Sequence, residues 1–427
     1  MKNIIKNYIS FNPLIIFFPF LLLFITIVLR FNSESLQGDE GRYFEYASNI
    51  LNGFYSPPAP NINLWSGPGY PFFLVPFVLL DIPFLYLRMA NAFLQYFSIV
   101  LLFLSINKYT SRKYAIIFSF FWATYYIAYQ ELPLMLTEPL TSFLCALIVF
   151  FISRLDNSEN TVSENSIYAG LALGFLGLTK IIFGYVIFII LLFYIIFLLF
   201  KKSNCTLKRN TVILTVAFLV NIPYLIYTYD LTDKVLYWGN SGGSSLYWMS
   251  TPVEGEFGEW NNASFTANCE HDLAIPCNSS LIAKYHQKDM EYVGQFPIIN
   301  QDDELKKIAI NNIKNHPLKY LRNCLSNVSR IFFGIPNSYF YQREQTIFRL
   351  IPNSLILSLL ILISMLTLSN FKNIRSEIRL IVWLIFVYLL LSTLVSAYPR
   401  QLYVVMPLIF FWASYILDKT VNIKMKF

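Results

Sequence analysis

Residues 181–200 read IIFGYVIFIILLFYIIFLLF, a run without one charged side chain. As a helix it rises about 30 Å, the thickness of a bilayer's hydrocarbon core. Pro13–Leu29 has the same character. The composition agrees: of 427 residues, 56% are hydrophobic, 18% aromatic and only 13% charged. An average soluble domain carries about 25% charged residues. A soluble enzyme, a secreted disulfide scaffold and a disordered tail are excluded, and a polytopic membrane protein remains.

Working outward from 181–200, the apolar block extends back to Ile167. It is too long for one comfortable span and short for two, and both flanks read as cytoplasmic, so a tight hairpin turning near Lys180 is expected. Further spans are expected at Phe84–Ile106, Tyr114–Ala128, Glu138–Ile152, Val212–Tyr227, Ile351–Leu368, Leu380–Val395 and Leu402–Leu417. Lys2 and Lys6 precede Pro13–Leu29, which no small-residue cleavage site follows; it reads as a retained first span rather than a signal peptide. The expectation is an all-α bundle of about ten transmembrane helices with both termini cytoplasmic.

The net charge of +7 falls in clusters: Lys108, Arg112 and Lys113; Lys201, Lys202, Lys208 and Arg209; Lys372, Arg375 and Arg379; Lys419, Lys424 and Lys426. Basic loops alternating with non-basic ones follow the positive-inside rule, so the surplus reads as topology and not as a nucleic-acid partner. Three regions follow. Residues 1–230 form an N-terminal transmembrane core with a first outer loop at about 31–83, residues 231–345 an outer segment with interfacial helices, and residues 346–427 the C-terminal spans. The bias toward Ile, Asn, Lys and Phe suits an AT-rich, bacterial genome, which places the chain in a plasma membrane.

The first outer loop opens Gln37-Gly38-Asp39-Glu40-Gly41-Arg42-Tyr43. A helix is expected from Asp39 to about Leu51, stopped by Gly53, with Asp39, Arg42 and Tyr43 on one face. Two readings stand. Asp39 and Glu40 are an N-cap and a first-turn acid, or a carboxylate one turn from a guanidinium takes a proton beside a bound phosphate. Trp65-Ser66-Gly67-Pro68-Gly69-Tyr70-Pro71 is too rich in Gly and Pro for a straight span and reads as a bent interfacial segment. Its Trp65 and Tyr70 are interface anchors or a sugar-stacking surface.

Glu138, Lys180 and Arg400 stand at the ends of apolar spans, all on the side of Asp39. They either snorkel to the interface or face a polar cavity. Cys269 and Cys277, close together in the outer segment, form a disulfide or remain two thiols; Cys145, Cys205 and Cys324 fit no reactive pattern. His271, His286 and His316 match no metal-ligand spacing. No Walker loop or dinucleotide fingerprint occurs.

Gly38-Asp39-Glu40-Gly41-Arg42-Tyr43, Thr137-Glu138-Pro139, the Gly-rich run ending Leu178-Thr179-Lys180, and Tyr398-Pro399-Arg400-Gln401-Leu402-Tyr403 occur in that order. Together they resemble the GT-C glycosyltransferases of the protein mannosyltransferase and lipid A aminoarabinose transferase type. Asn315-His316-Pro317-Leu318-Lys319-Tyr320 is also similar to these proteins. The resemblance implies a GT-C-type bundle and transfer of a sugar from a polyprenyl-phosphate donor to an extracytoplasmic acceptor, with inversion. It implies Asp39 as base, Glu138 as a second acid at a position where relatives often carry Asp, and Arg42, Lys180 and Arg400 as donor-phosphate partners. Glu40 and Tyr43 support them. A divalent metal is used by some members, and no other cofactor is implied. The competing expectation is a transporter or lipid-linked-sugar flippase without chemistry, which has no need of a carboxylate opening an outer helix.

Overall fold

The computed structural model describes residues 12–155, 163–200, 205–261, 279–339 and 346–420. Cys269 and Cys277 lie outside the described residues. Helices, and no strands, occur among the described residues. The chain enters through α1 (Pro13–Ile16) and α2 (Phe18–Arg30), then forms the outer helix α3 (Glu40–Leu51) and the short apolar α4 (Gly69–Leu79). The first bundle helices are α5 (Phe84–Tyr109), α6 (Arg112–Ala123), α7 (Tyr126–Glu131), α8 (Thr137–Ile152), α9 (Glu164–Thr179), α10 (Ile182–Phe200) and α11 (Cys205–Thr232). The outer segment holds α12 (Gly242–Met249), α13 (Ser279–Val293), α14 (Ile298–Asn315) and α15 (Pro317–Phe333). Three helices follow it: α16 (Ile347–Ser369), α17 (Ser376–Val395) and α18 (Pro399–Thr420).

Six described helices are long and apolar enough to cross a bilayer: α5, α10, residues 207–232 of α11, α16, α17 and α18. The chain is a multi-pass membrane protein. The other expected crossings fall on shorter helices, of 13 residues in α2, 12 in α6 and 16 in each of α8 and α9. The expected span Tyr114–Ala128 is divided, because the helix breaks at Thr124–Tyr125 before α7 begins. The expected turn at Lys180 is present: α9 ends at Thr179, α10 begins at Ile182, and Lys180 is extended between them.

α18 is the centre, buried along almost its whole length from Leu402 to Ile416. α9 lies close to α11 because a Cβ on Gly170 would come within 2.7 Å of Val216 and one on Gly174 within 2.6 Å of Val220. In lipid, where apolar surface gives helices little reason to associate, such close backbone approach supplies the packing. Asn221 adds a polar tie, donating to the Gly174 carbonyl at 3.1 Å and accepting from Trp238 Nε1 at 3.0 Å.

Arg209 and Arg375, from two of the basic clusters, lie at one end of the bundle. Asn210 of α11 donates to the Ser376 carbonyl at 2.8 Å, Arg209 pairs with Glu377, and the Arg375 guanidinium lies 5.1 Å from the Tyr109 ring. At the other end α15 inverts the usual amphipathic order. Asn323, Asn327 and Arg330 are buried, while Leu318, Leu321, Leu325 and Val328 are exposed. A helix with its polar face inward and apolar face outward suits a membrane interface.

Candidate active site

Asp39 stands at the N-cap of α3, yet its side chain makes no capping bond. Its Oδ1 instead accepts from Arg42 Nη2 at 2.5 Å, and its Oδ2 lies 3.7 Å from Arg400 Nη2. Arg400, in the first turn of α18, also reaches Glu138, with Nε 3.6 Å from Oε1. Glu138 opens α8, is almost fully buried, and accepts from Lys180 Nζ at 2.7 Å. Arg42, Asp39, Arg400, Glu138 and Lys180 thus form a continuous chain of opposite charges drawn from four separate parts of the sequence. Each carboxylate thus faces two cations, Asp39 between Arg42 and Arg400 and Glu138 between Arg400 and Lys180.

These five residues line one cavity of about 500 Å³, with Tyr43, Trp65, Thr179 and Trp260 around them. One wall is apolar: Ile181, Ile182 and Ile189 of the α9–α10 turn and α10 face Leu391 and Val395 of α17. Polar edges come from Ser241, Gly242 and Ser245 of α12 and its N-cap, and from Ser396 and Gln401. The approach of loop 65–69 to Lys180 requires glycine, since a Cβ on Gly67 would lie 2.1 Å from the Leu178 carbonyl oxygen. That loop places Trp65, whose ring lies 5.5 Å from the Arg42 guanidinium. Tyr70 does not reach the cavity; it is buried against Tyr43 with ring centroids 5.1 Å apart. Burial first, then the charges of Asp39 and Glu138, push the Tyr43 hydroxyl up to about 12, so it remains neutral and able to donate.

Glu40 faces away from the cavity and is fully buried. It accepts from Arg88 Nη2 at 2.9 Å and Nε at 3.2 Å, from the Gln37 amide at 2.6 Å and from the Met135 amide at 2.6 Å. Arg88 goes on to Asn32 Oδ1 at 2.9 Å and to the carbonyls of Ser33 and Ser35. One buried pair therefore ties the segment carrying Asp39 to the loop that leads into Glu138. Sequence reasoning missed Arg88, although a lone guanidinium in an apolar helix signals a buried partner. It also missed Glu131, at the end of α7, whose buried Oε2 has no hydrogen-bond partner among the described residues and lies in the electrostatic reach of Glu138, Arg400 and Lys180.

Of the three outer tryptophans, Trp238 and Trp248 are core residues, and Trp260 alone among them lines the cavity. Its indole Nε1 is buried and has no hydrogen-bond partner among the described residues. Among those residues no three His, Cys, Asp or Glu side chains gather closely enough to hold a metal ion. Both cavity carboxylates are taken by cationic side chains, a set that does not fit a divalent ion.

No protein-family model and no curated protein matches the chain. Three solved structures are similar to it. ArnT from Cupriavidus metallidurans bound to undecaprenyl phosphate is 11% identical, with a TM-score of 0.41 over 94% of this chain and 77% of that one. The archaeal oligosaccharyltransferase AglB from Archaeoglobus fulgidus, in complex with an inhibitory peptide and a dolichol-phosphate, is 12% identical, with a TM-score of 0.48 over 96% and 52%. The apo form of the Archaeoglobus fulgidus oligosaccharyltransferase is 13% identical, with a TM-score of 0.48 over 94% and 50%. The chain spans about half the length of these two oligosaccharyltransferase chains.

Proposed function

We propose that this protein is a GT-C-type membrane glycosyltransferase that moves a sugar from a polyprenyl-phosphate carrier to an acceptor hydroxyl outside the cytoplasm. The observation that carries this reading is the charge chain Arg42–Asp39–Arg400–Glu138–Lys180 set against an apolar wall. A lipid-phosphate sugar needs both: cations for the phosphate and an apolar surface for the first isoprene units. Arg42, Lys180 and Arg400 against Asp39 and Glu138 leave one positive charge in excess, which matches a singly charged phosphodiester. Arg209 and Arg375, from two of the basic clusters, lie at the opposite end of the bundle, which supports a cavity outside the cytoplasm.

In the reaction the acceptor oxygen attacks the anomeric carbon from the face opposite the phosphate. The bond from that carbon to the phosphate oxygen breaks, and its electron pair leaves on the lipid phosphate. Asp39, one-third exposed, takes the acceptor proton; such a base contributes about 10²–10⁴-fold. Arg400, Lys180 and Arg42 meet the charge that grows on the leaving phosphate in a water-poor site. Glu138 holds Lys180 and Arg400 at their stations. Trp260 and the α12 edge of the outer segment face the acceptor, so exchanging residues 231–345 for those of a relative moves acceptor choice. A change of donor choice instead contradicts that assignment.

The experiment is release of labelled sugar from a panel of polyprenyl-phosphate sugars by the purified protein, with and without an envelope extract as acceptor. Release from at least one donor is expected. Tight binding of the lipid with no release across the panel would overturn the reading in favour of a carrier without chemistry.

A further inference from the structure

The wall that carries Trp260 is an extended strap, residues 250–261, held in place by buried polar side chains. Asn323 of α15 donates to the carbonyls of Met249 at 3.0 Å and Thr251 at 3.3 Å, and Arg330 donates to Phe257 at 3.0 Å. Ser338 Oγ accepts from the Phe257 amide at 2.9 Å. The hub is Glu256, which is buried and accepts from Thr251, from Tyr339 and, at 2.8 Å, from His286 Nε2. The other nitrogen of His286, Nδ1, lies 2.7 Å from the Tyr247 hydroxyl, which donates its one proton to Asp289 Oδ2 at 2.8 Å.

Glu256 as a carboxylate only accepts, so His286 Nε2 is the donor of their bond. The His286 ring thus bridges Glu256 on one nitrogen and Tyr247 on the other, with the Trp248 ring 4.7 Å away. A bond to a charged carboxylate is about twice as strong as a neutral one, and this one anchors the strap four residues before Trp260.

We propose that His286 and Glu256 are positioning residues: their pair fixes the 250–261 strap so that the Trp260 ring is held in the cavity wall where the acceptor binds. This rests on the transferase reading for the word acceptor, while the positioning itself does not. The two nitrogens of His286 can be replaced one at a time. In His286→Gln the amide nitrogen sits near the place of Nε2 and keeps the bond to Glu256. In His286→Asn it sits near Nδ1, keeps Tyr247 and falls short of Glu256.

The test uses full-length protein labelled with 5-fluorotryptophan, the Trp260 fluorine resonance being assigned by its loss in Trp260→Phe. The expected result is a shifted or broadened Trp260 resonance in His286→Asn and a near-wild-type one in His286→Gln. In parallel, the ratio of transfer into an envelope lipid extract to hydrolysis of the donor falls about ten-fold in His286→Asn, with hydrolysis itself unchanged, and recovers in His286→Gln. An unmoved Trp260 resonance in His286→Asn, the same change in both variants, or equal losses of transfer and hydrolysis would overturn the proposal. If the wild type releases no sugar, the transferase reading fails, and the resonance still decides whether the pair holds the strap.

Discussion

Arg88 and Glu40 meet 2.9 Å apart with neither side chain exposed. Such a pair contributes little net stability over an apolar substitute, but removing one partner strands a buried charge at about 3–5 kcal/mol. Arg88→Met is therefore expected to lower the unfolding temperature sharply in detergent. The double variant Arg88→Met with Glu40→Gln is expected to recover part of the loss, which a thermal unfolding series checks. Sugar release should fall in both, because the pair links the Asp39 segment to the loop before Glu138.

Arg400 bridges the two carboxylates of the cavity, 3.7 Å from Asp39 and 3.6 Å from Glu138. Lysine keeps the charge and loses the fork that lets one side chain address both. Arg400→Gln is expected to lower kcat by about 10²–10³, the usual cost of one electrostatic donor. Arg400→Lys should fall between it and wild type. Steady-state rates at saturating donor would show equal activity in all three if the bridge had no part in the chemistry.

Gly67 has no room for a side chain, its Cβ position lying 2.1 Å from the Leu178 carbonyl oxygen. Gly67→Ala must push loop 65–69 away from the Lys180 turn, at about 1–3 kcal/mol. Both stability and donor affinity should drop, since Trp65 and Lys180 separate. Donor binding by the variant at wild-type affinity would contradict the close approach.

Burial alone would raise the Glu256 carboxyl, but the bond and charge of His286, with Thr251 and Tyr339, hold it below its ordinary value. A carboxyl lowered by folding contributes stability that is present above the unfolded value, ~4.3, and lost as pH falls through the folded one. The protein should lose stability on the acid side of that range, and Glu256→Gln should flatten the loss. Unfolding temperatures from pH 3 to 7 test this; parallel curves for the two proteins would contradict it.

Local signals in the sequence carried much of the fold and the ends of the site. Apolar runs and basic clusters located the helices, and the break at Lys180 followed from two cytoplasmic flanks. The face shared by Asp39, Arg42 and Tyr43 needed only helical spacing. Glu138, Lys180 and Arg400 were placed on one side by topology, and they meet in one cavity with Asp39. What the sequence did not reveal depends on distant pairs. Arg88 and Glu40 stand 48 residues apart, and Glu256 finds His286 across 30. Trp238 and Trp248 stand near Gly and Ser in the outer segment, yet they fill cores because a partner surface, invisible in the local pattern, closes over them.

The central claim is that Asp39 takes the acceptor proton in a lipid-phosphate sugar transfer. The direct measurement is the rate of labelled sugar release from the best polyprenyl-phosphate donor, wild type beside Asp39→Asn, with lipid binding measured in parallel. The account predicts a fall of about 10²–10⁴-fold in release with donor binding retained. Release by Asp39→Asn at the wild-type rate would contradict it.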